Sequence, residues 1–184
     1  MSDPARGSRR ALSLDEVRTL VEDAAARGVA RRARKTKSVD ARPARPGEVV
    51  VTVLAGEGKE TTSRPAEKGD WVVRNRCEAT GNEEYLVAAG TFQERYRPTG
   101  KPAGGGGGWQ EHRPVGRAVR VLVLKPEHGE FVFTAPWGEP MVAKPGDAIV
   151  QDPEHPEDTY RVAAAAFDCT YEMLGSFARP QKRP

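Results

Sequence analysis

The chain has 184 residues, of which 38% are hydrophobic and 30% charged, and its formal net charge is +3. That length suits one ordinary domain or two small ones, and the composition is typical of a soluble globular protein. No apolar run approaches the roughly 18 residues that a membrane-spanning helix needs, and the N-terminus lacks the order of a secretory signal. The sequence therefore excludes a helical membrane protein, and we expect a cytoplasmic protein.

The first element that the sequence predicts is an amphipathic helix in residues 13–28. Ser13 and Glu16 have the spacing of a capping box, apolar residues follow at helical intervals, and Gly28 is suited to end the helix. Residues 1–11 are polar, basic and unpatterned, so we expect a disordered start. We assign residues 1–45 to this helix and to a basic linker that follows it.

Positive charge is concentrated in that N-terminal region. Residues 1–45 carry twelve Lys and Arg against six Asp and Glu, so the rest of the chain is slightly acidic. The densest part is a basic cluster just after the helix. Such a cluster binds phosphate backbones or acidic surfaces, or else is a solvated linker without a partner. The candidate nucleic-acid-binding residues of this cluster are Arg31, Arg32, Arg34, Lys35 and Lys37.

β-Strand patterns fill most of the remaining chain. Runs of β-branched and apolar residues between Gly-rich and Pro-rich turns are typical of strands. We predict a first β-rich repeat in residues 46–97, a second in residues 114–174, and a polar tail at 175–184 that frays. The predicted strands are 48–54, 71–74, 84–87, 117–124, 131–134, 141–144, 148–150 and 160–162.

Five consecutive glycines, Gly104 to Gly108, lie between the two repeats. A glycine run rarely holds one backbone conformation, because the unfolded chain has many more conformations to lose. We therefore predict a flexible linker over residues 98–113. A phosphate-binding glycine loop is the alternative, but no Gly-Lys-Ser/Thr motif follows.

Landmarks of residues 68–96 return in residues 145–171. Gly69 and Asp70 match Gly146 and Asp147 at an offset of 77, and later residues match at an offset of 75 because the second loop is shorter. We infer an internal duplication of one supersecondary unit. The later matched pairs are Tyr85 with Tyr160, Val87 with Val162, Ala89 with Ala164, Phe92 with Phe167 and Tyr96 with Tyr171.

This order of Gly-Asp, apolar strand, loop, Tyr, and Phe four residues before Tyr resembles the PGDYG family, small bacterial and phage proteins of unknown function. Pro145, Gly146 and Asp147 match the first three positions of the Pro-Gly-Asp-Tyr-Gly signature, and Ala148 and Ile149 stand at the other two. In the first copy a lysine replaces the proline. The resemblance covers the two duplicated stretches and implies no catalytic residues.

The two cysteines do not occupy equivalent positions in the repeat. Cys77 is aligned with Glu154, and Cys169 with Glu94. Reduced thiols are the default in a cytosolic chain, so we predict that both cysteines are free. Neither the cysteines nor the histidines show a ligand spacing such as Cys-x-x-Cys, and we expect no metal and no cofactor.

Asp70 and Asp147 are the candidates for chemistry. Repeated carboxylates beside glycines could share a proton as a general acid and base. A Gly-Asp step entering a strand is also ordinary turn chemistry, in which the carboxylate accepts backbone N–H groups. We favour this structural role. The alternative is an enzyme with a carboxylate site between the repeats.

The tryptophans Trp71, Trp109 and Trp137 have no counterpart in the other copy. Indole offers a large contact area with a polar end, so an unmatched tryptophan on a repeated scaffold is a candidate for a binding surface. Trp137 stands out, because its turn needs no bulky apolar group. Packing of these rings over the core is the other interpretation.

We predict a mainly β fold of two related small units, barrel-like or open sheets, with an N-terminal amphipathic helix. The favoured function is a non-enzymatic binding or adaptor protein that takes another protein or a small ligand in a cleft between the repeats. Nucleic-acid association through the basic cluster is the first alternative. The candidate ligand or partner contacts are Trp71, Trp137, Asp70 and Asp147.

Overall fold

The computed structural model describes residues 9–176, which form three α-helices and fifteen β-strands. The helices are α1 (Leu14–Ala26), α2 (Ala89–Arg95) and α3 (Ala164–Thr170). The strands are β1 (Arg10–Ala11), β2 (Arg31–Lys35), β3 (Val39–Pro43), β4 (Val51–Leu54), β5 (Gly58–Thr62), β6 (Trp71–Asn75), β7 (Glu84–Val87), β8 (Tyr96–Pro102), β9 (Gln110–Pro114), β10 (Val119–Val123), β11 (Phe131–Thr134), β12 (Pro140–Ala143), β13 (Ala148–Gln151), β14 (Thr159–Val162) and β15 (Tyr171–Ser176).

The described chain divides into two units that alternate along the sequence. Unit 1 holds residues 9–32, 119–164 and 175–176, and unit 2 holds residues 33–118 and 165–174. The units do not follow the predicted repeat boundaries, because β3, which precedes residue 46, is the middle strand of a sheet in unit 2. The sheets are open and strands predominate, so the prediction of a mainly β protein is confirmed.

Unit 1 is built around α1. Ser13 Oγ accepts the N–H of Glu16 at 3.1 Å, and the Glu16 carboxylate accepts the N–H of Ser13 at 3.1 Å, which together form the capping box. Val17, Val21 and Ala24 form the buried stripe of the helix. They pack on strands of unit 1 in one apolar core that includes Leu122, Leu124, Phe131, Phe133, Met141 and Ile149.

Two antiparallel hairpins and a parallel pair supply the strands of that core. β13 pairs with β10 on one side and with β14 on the other, and β11 pairs with β12. β1 pairs with β11 in parallel, so Arg10 and Ala11 are not part of a disordered start as predicted. Residues 1–8 and 177–184, for which we predicted disorder and fraying, lie outside the described residues.

Unit 2 contains a five-stranded sheet in the order β7-β6-β3-β9-β8, in which every neighbouring pair is antiparallel. Adjacent residues of β6 serve different cores, as expected when side chains alternate across a sheet. Val73 packs with Phe92 of α2 and with Tyr96, whereas Val72 packs with Val50 and Ala66. The hairpin of β4 and β5 forms a separate two-stranded sheet.

The glycine run connects two paired strands, so the prediction of a linker over residues 98–113 is wrong. β8 and β9 flank the glycines and pair antiparallel within unit 2. Gly105 to Gly108 all have positive φ, from 73° to 97°, a region that side chains disfavour. The glycines therefore turn the chain back between two strands of one sheet and do not connect two repeats.

Cys77 and Cys169 form a disulfide, so the prediction of two free thiols is wrong. The two Cα atoms are 5.9 Å apart although 92 residues separate them in the sequence. The pairing follows from the fold: residues 165–174 belong to unit 2, whereas the residues on either side of that segment belong to unit 1. An alignment of the two repeats does not contain that information.

Within residues 9–176, no helix combines the length and the apolar character needed to cross a membrane.

Candidate functional site

An open cleft lies beside strand β4 in unit 2, with a volume of about 750 Å³. We call it the β4 cleft. Its lining comes from β3, β4, β6, the loop after β6, the start of β7 and the glycine turn. The lining includes Asp40, Val51, Val53, Arg74, Arg76 and Glu84.

An ion-pair network stabilises one wall of the cleft. The nearly buried Asp40 accepts from Arg74 at 3.1 Å on one oxygen and from Arg76 at 2.8 and 3.0 Å on the other. Arg76 also contacts Glu111 at 2.9 Å. The hydrogen bond to Asp40 raises the pKa of Arg76, and the hydrogen bond from Arg76 lowers the pKa of Glu111. These arginines are therefore already neutralised by carboxylates of the same unit.

Trp109 contacts two arginine side chains. The guanidinium of Arg74 lies 4.2 Å from the indole centroid and that of Arg42 lies 5.1 Å from it, both within cation–π range. Arg42 in turn makes a two-point contact with Glu48. The hydrogen bond from Arg42 lowers the pKa of Glu48 to about 2. The unmatched Trp109 thus packs against the sheet next to the cleft.

The other wall of the cleft is apolar and exposed. In β4, Thr52 and Leu54 are buried, whereas Val51 and Val53 remain 48% and 52% exposed. Val49, two residues before Val51, is also 48% exposed. Three exposed valines at alternate positions form one apolar stripe, which we call the valine stripe.

Glu84 adds a negative charge to this cleft. It lies opposite Arg74 in the β6–β7 pairing, but Arg74 is bonded to Asp40. Within the described part of the chain, the Glu84 carboxylate accepts no hydrogen bond, and its charge is one cause of the raised pKa of Arg42. A carboxylate beside an exposed apolar stripe suits a partner that is itself amphipathic and basic.

Lys35 lies in a polar cluster of unit 2, and not in a basic arm as the sequence predicts. Its ammonium donates to Tyr85 Oη at 2.7 Å, Tyr96 Oη at 3.0 Å and Asn75 Oδ1 at 3.2 Å. The two tyrosine hydroxyls are 3.1 Å apart. Burial opposes ionisation of Tyr96, but the charge and hydrogen bond of Lys35 outweigh it and lower the pKa of Tyr96. Lys35 is thus committed to side chains of unit 2.

The rest of the predicted basic cluster remains on the surface. Arg31, Arg32, Arg34 and Lys37 are exposed. Arg34 contacts Glu172 at 3.2 Å. The residues predicted as a linker include strand β2, so these side chains are presented by ordered backbone.

Asp70 and Asp147 have matching surroundings in their own units. Asp70 Oδ1 accepts the N–H of Ala89, and its Oδ2 accepts the N–H of Glu67 and the guanidinium of Arg64. Burial opposes its ionisation, but Arg64 and the amides lower the pKa of Asp70. This geometry fits the turn role that we favoured over catalysis.

Asp147 repeats that arrangement oxygen by oxygen. Its Oδ1 accepts the N–H of Ala164, and its Oδ2 accepts the N–H of Lys144 and the guanidinium of Arg161. Gly69 and Gly146, which precede the two aspartates, have φ of 94° and 95°. Each carboxylate thus closes its own turn.

The two predicted tryptophan contacts differ in exposure. Trp71 stacks on Phe92 with centroids 4.3 Å apart and has His112 at its edge, so its ring is part of a core. Trp137 is 44% exposed and lies 5.9 Å from the ring of Tyr160 in unit 1. Of the two, Trp137 alone offers a surface.

Sequence reasoning missed most of the cleft. Its residues come from strands that are far apart in the chain, and neither Glu84 nor Arg74 belongs to a motif. The run Val49 to Val53 carried a signal, since it places valines on both faces of a short strand, and a strand that is apolar on both faces is usually covered on both.

The sequence matches no protein-family model, and no curated protein and no solved structure is detectably similar to it. Among the described residues, no three His, Cys, Asp or Glu side chains are grouped so that they could hold a metal ion.

Proposed function

We propose that the protein is a non-enzymatic binding or adaptor protein and that the β4 cleft is its docking surface. The observation that carries the proposal is the valine stripe at the edge of an open, polar cleft. Exposed β-branched residues on a short edge strand invite association, and proteins usually block such edges with charge or proline. Here β4 carries no charged residue and no proline.

The polar wall supports binding and not catalysis. Arg74 and Arg76 are paired with Asp40, and Trp109 packs near the guanidinium groups of Arg42 and Arg74. Side chains held in this way give a preorganised surface, which lowers the entropy lost on binding. The carboxylates of the alternative enzyme site, Asp70 and Asp147, each accept two backbone amides and one arginine.

Two aspartate substitutions test the docking surface. Val51→Asp with Val53→Asp places charge on exposed positions, so the fold should persist while the apolar stripe is lost. Val123→Asp is the matched control, since Val123 is a 38% exposed strand valine of unit 1. The readout is saturation-transfer NMR with a library of cationic, anionic and neutral fragments. We expect fragments that bind the wild type and the control but not the double variant. Fragments that bind all three proteins equally would disprove the docking surface.

Nucleic-acid association is a second candidate, favoured by four exposed basic side chains on and after β2, namely Arg31, Arg32, Arg34 and Lys37. Removal of residues 1–45 is not a usable test, because α1 and β3 belong to the cores. The variant is Arg31→Ala with Arg32→Ala and Lys37→Ala. If this candidate is correct, binding to a duplex DNA or RNA probe falls steeply with salt and the variant shows a shallower slope. Binding that is absent at low salt excludes it.

The two turns also support our proposal that a PGDYG-like unit is duplicated in this chain. The aspartates accept backbone amides of matching residues on matching oxygens, Glu67 and Lys144 on Oδ2 and Ala89 and Ala164 on Oδ1, whereas their arginine partners do not match. Each turn leads into a hairpin, β6–β7 or β13–β14. If the turns are equivalent, Lys68→Pro recreates the Pro-Gly-Asp of the second copy. It should change the free energy of unfolding by less than about 1 kcal/mol. A loss above about 2 kcal/mol in urea denaturation would show that the turns differ.

A further inference from the structure

We propose that the partner of the β4 cleft is an extended peptide segment that adds to β4 as a strand and places a basic side chain on Glu84. This inference rests on the proposed binding function and adds the class, conformation and charge of the partner. Three observations made on residues 9–176 lead to it: the edge of β4 that no strand covers, the valine stripe, and the Glu84 carboxylate that accepts no hydrogen bond.

The backbone of β4 has one open edge. Within residues 9–176, β4 is hydrogen-bonded in a sheet to β5 alone. The N–H of Ser63 donates to the carbonyl of Val50 at 2.8 Å, so Val50 points its backbone groups toward β5. Because antiparallel pairing alternates, the backbone groups of Val51 and Val53 point to the opposite edge.

Neighbouring contacts agree with that direction. The N–H of Ala55, which has the same parity as Val51 and Val53, donates to the carbonyl of Thr80 at 2.9 Å. The irregularity in the hairpin adds a residue to β5, so the alternation along β4 is not interrupted. Val51 and Val53 line the β4 cleft. A peptide that enters the cleft therefore meets a sheet edge to which no strand of residues 9–176 is paired, and strand addition requires such an edge.

The side chains define which peptide fits. Cross-strand neighbours on one face of a sheet lie close enough to pack, so alternate apolar residues of the peptide would cover the valine stripe. The cleft lining contains three carboxylates, from Asp40, Glu83 and Glu84, against two guanidinium groups. Asp40 is bonded to both arginines, and Glu83 accepts from Asn75 at 2.8 Å. Glu84 is therefore the carboxylate left to pair with a basic residue.

The probe is a fluorescein-labelled, C-terminally amidated heptapeptide, Thr-Val-Lys-Val-Thr-Val-Thr, titrated with the full-length disulfide-bonded protein in a polarisation assay. A second peptide replaces Lys by norleucine. We expect Glu84→Gln to weaken the lysine peptide about fivefold and to leave the norleucine peptide unchanged. Glu127→Gln, an exposed position of unit 1, is the control that should affect neither peptide.

Strand addition has a signature of its own. N-methylation of alternate peptide amides should abolish binding in one register and leave it nearly unchanged in the other, because only every second amide faces β4. Equal loss in both registers, or no loss in either, would overturn strand addition. An equal effect of Glu84→Gln on both peptides would overturn the assignment of the basic side chain.

Failure of this inference can be separated from failure of the proposed function. If no peptide binds below about 1 mM while fragments still require Val51 and Val53, the peptide partner is wrong and the docking surface stands. If neither peptides nor fragments depend on these valines, both proposals fail.

Discussion

Lys35 shows at the scale of one residue how the fold changes a sequence-based interpretation. In the sequence it belongs to a basic cluster, yet its ammonium is held by Tyr85, Tyr96 and Asn75. Lys35→Met should raise the pKa of Tyr96, because the positive charge that favours the tyrosinate is removed. The check is ultraviolet titration of tyrosinate, with Tyr96→Phe to assign the step. Lys37→Met is the exposed control, and an unchanged titration in Lys35→Met would contradict the contact.

The arginine partners of the two turn aspartates differ in their exposure to solvent. The side chains of Asp147 and Arg161 are 1% and 4% exposed, whereas Arg64 beside Asp70 is 37% exposed. Asp147→Asn removes the carboxylate charge from a buried ion pair and should cost about 3–5 kcal/mol of stability. Asp70→Asn should cost less, since water can solvate Arg64. Urea denaturation of both variants measures this, and a smaller loss for Asp147→Asn than for Asp70→Asn would refute it.

Glu48 gives the protein a pH-dependent contribution. Its pKa is lowered from the model-peptide value of 4.5 to about 2 in the folded protein. The stability it supplies is therefore present above pH 4.5 and is lost as the pH falls from there toward 2. Glu48→Gln should lower stability at pH 7 by about 1 kcal/mol, and the difference from wild type should vanish near pH 2. Glu94→Gln on α2 is the exposed control. A difference that stays constant with pH would count against the ion pair with Arg42.

The disulfide joins two separate elements, the loop after β6 and helix α3. Serine at both Cys77 and Cys169 should lower the free energy of unfolding by roughly 4 kcal/mol, since the bridge closes a long loop. Dithiothreitol should destabilise the wild type in urea denaturation and leave the double variant unaffected. If dithiothreitol does not change the free energy of unfolding of the wild type, the disulfide does not contribute to stability.

Elements with a strong local pattern could be read from the sequence. The capping box and stripe of α1 and the run Phe131–Thr134 appear where the pattern places them. Polar strands could not be predicted from the sequence. Strands β2, β5 and β9 have the sequences RRARK, GKETT and QEHRP, in which apolar residues do not alternate with polar ones. Such strands are held by pairing with neighbours, which tertiary structure alone decides.

At the scale of the whole molecule, the chain crosses between the two units four times, and this explains why the disulfide was not predicted. The candidate site lies within the continuous segment 33–118, but several strands of that segment form it. Asp40, Val51, Arg74 and Glu84 come from four different strands, and the disulfide depends on a segment of ten residues inserted in unit 2. Sequence reasoning found the aspartate turns, which are local, and placed the binding surface on tryptophans that mostly pack inward. Surfaces built from distant strands need the topology first.

The most direct test of the docking surface is an amide chemical-shift map of the ¹⁵N-labelled protein with its fragment or peptide ligands. We expect the largest shifts on Val51, Val53, Asn82 and Glu84, and we expect them to disappear in the Val51→Asp, Val53→Asp variant. Shifts concentrated around Trp137, with the β4 amides unmoved, would contradict it.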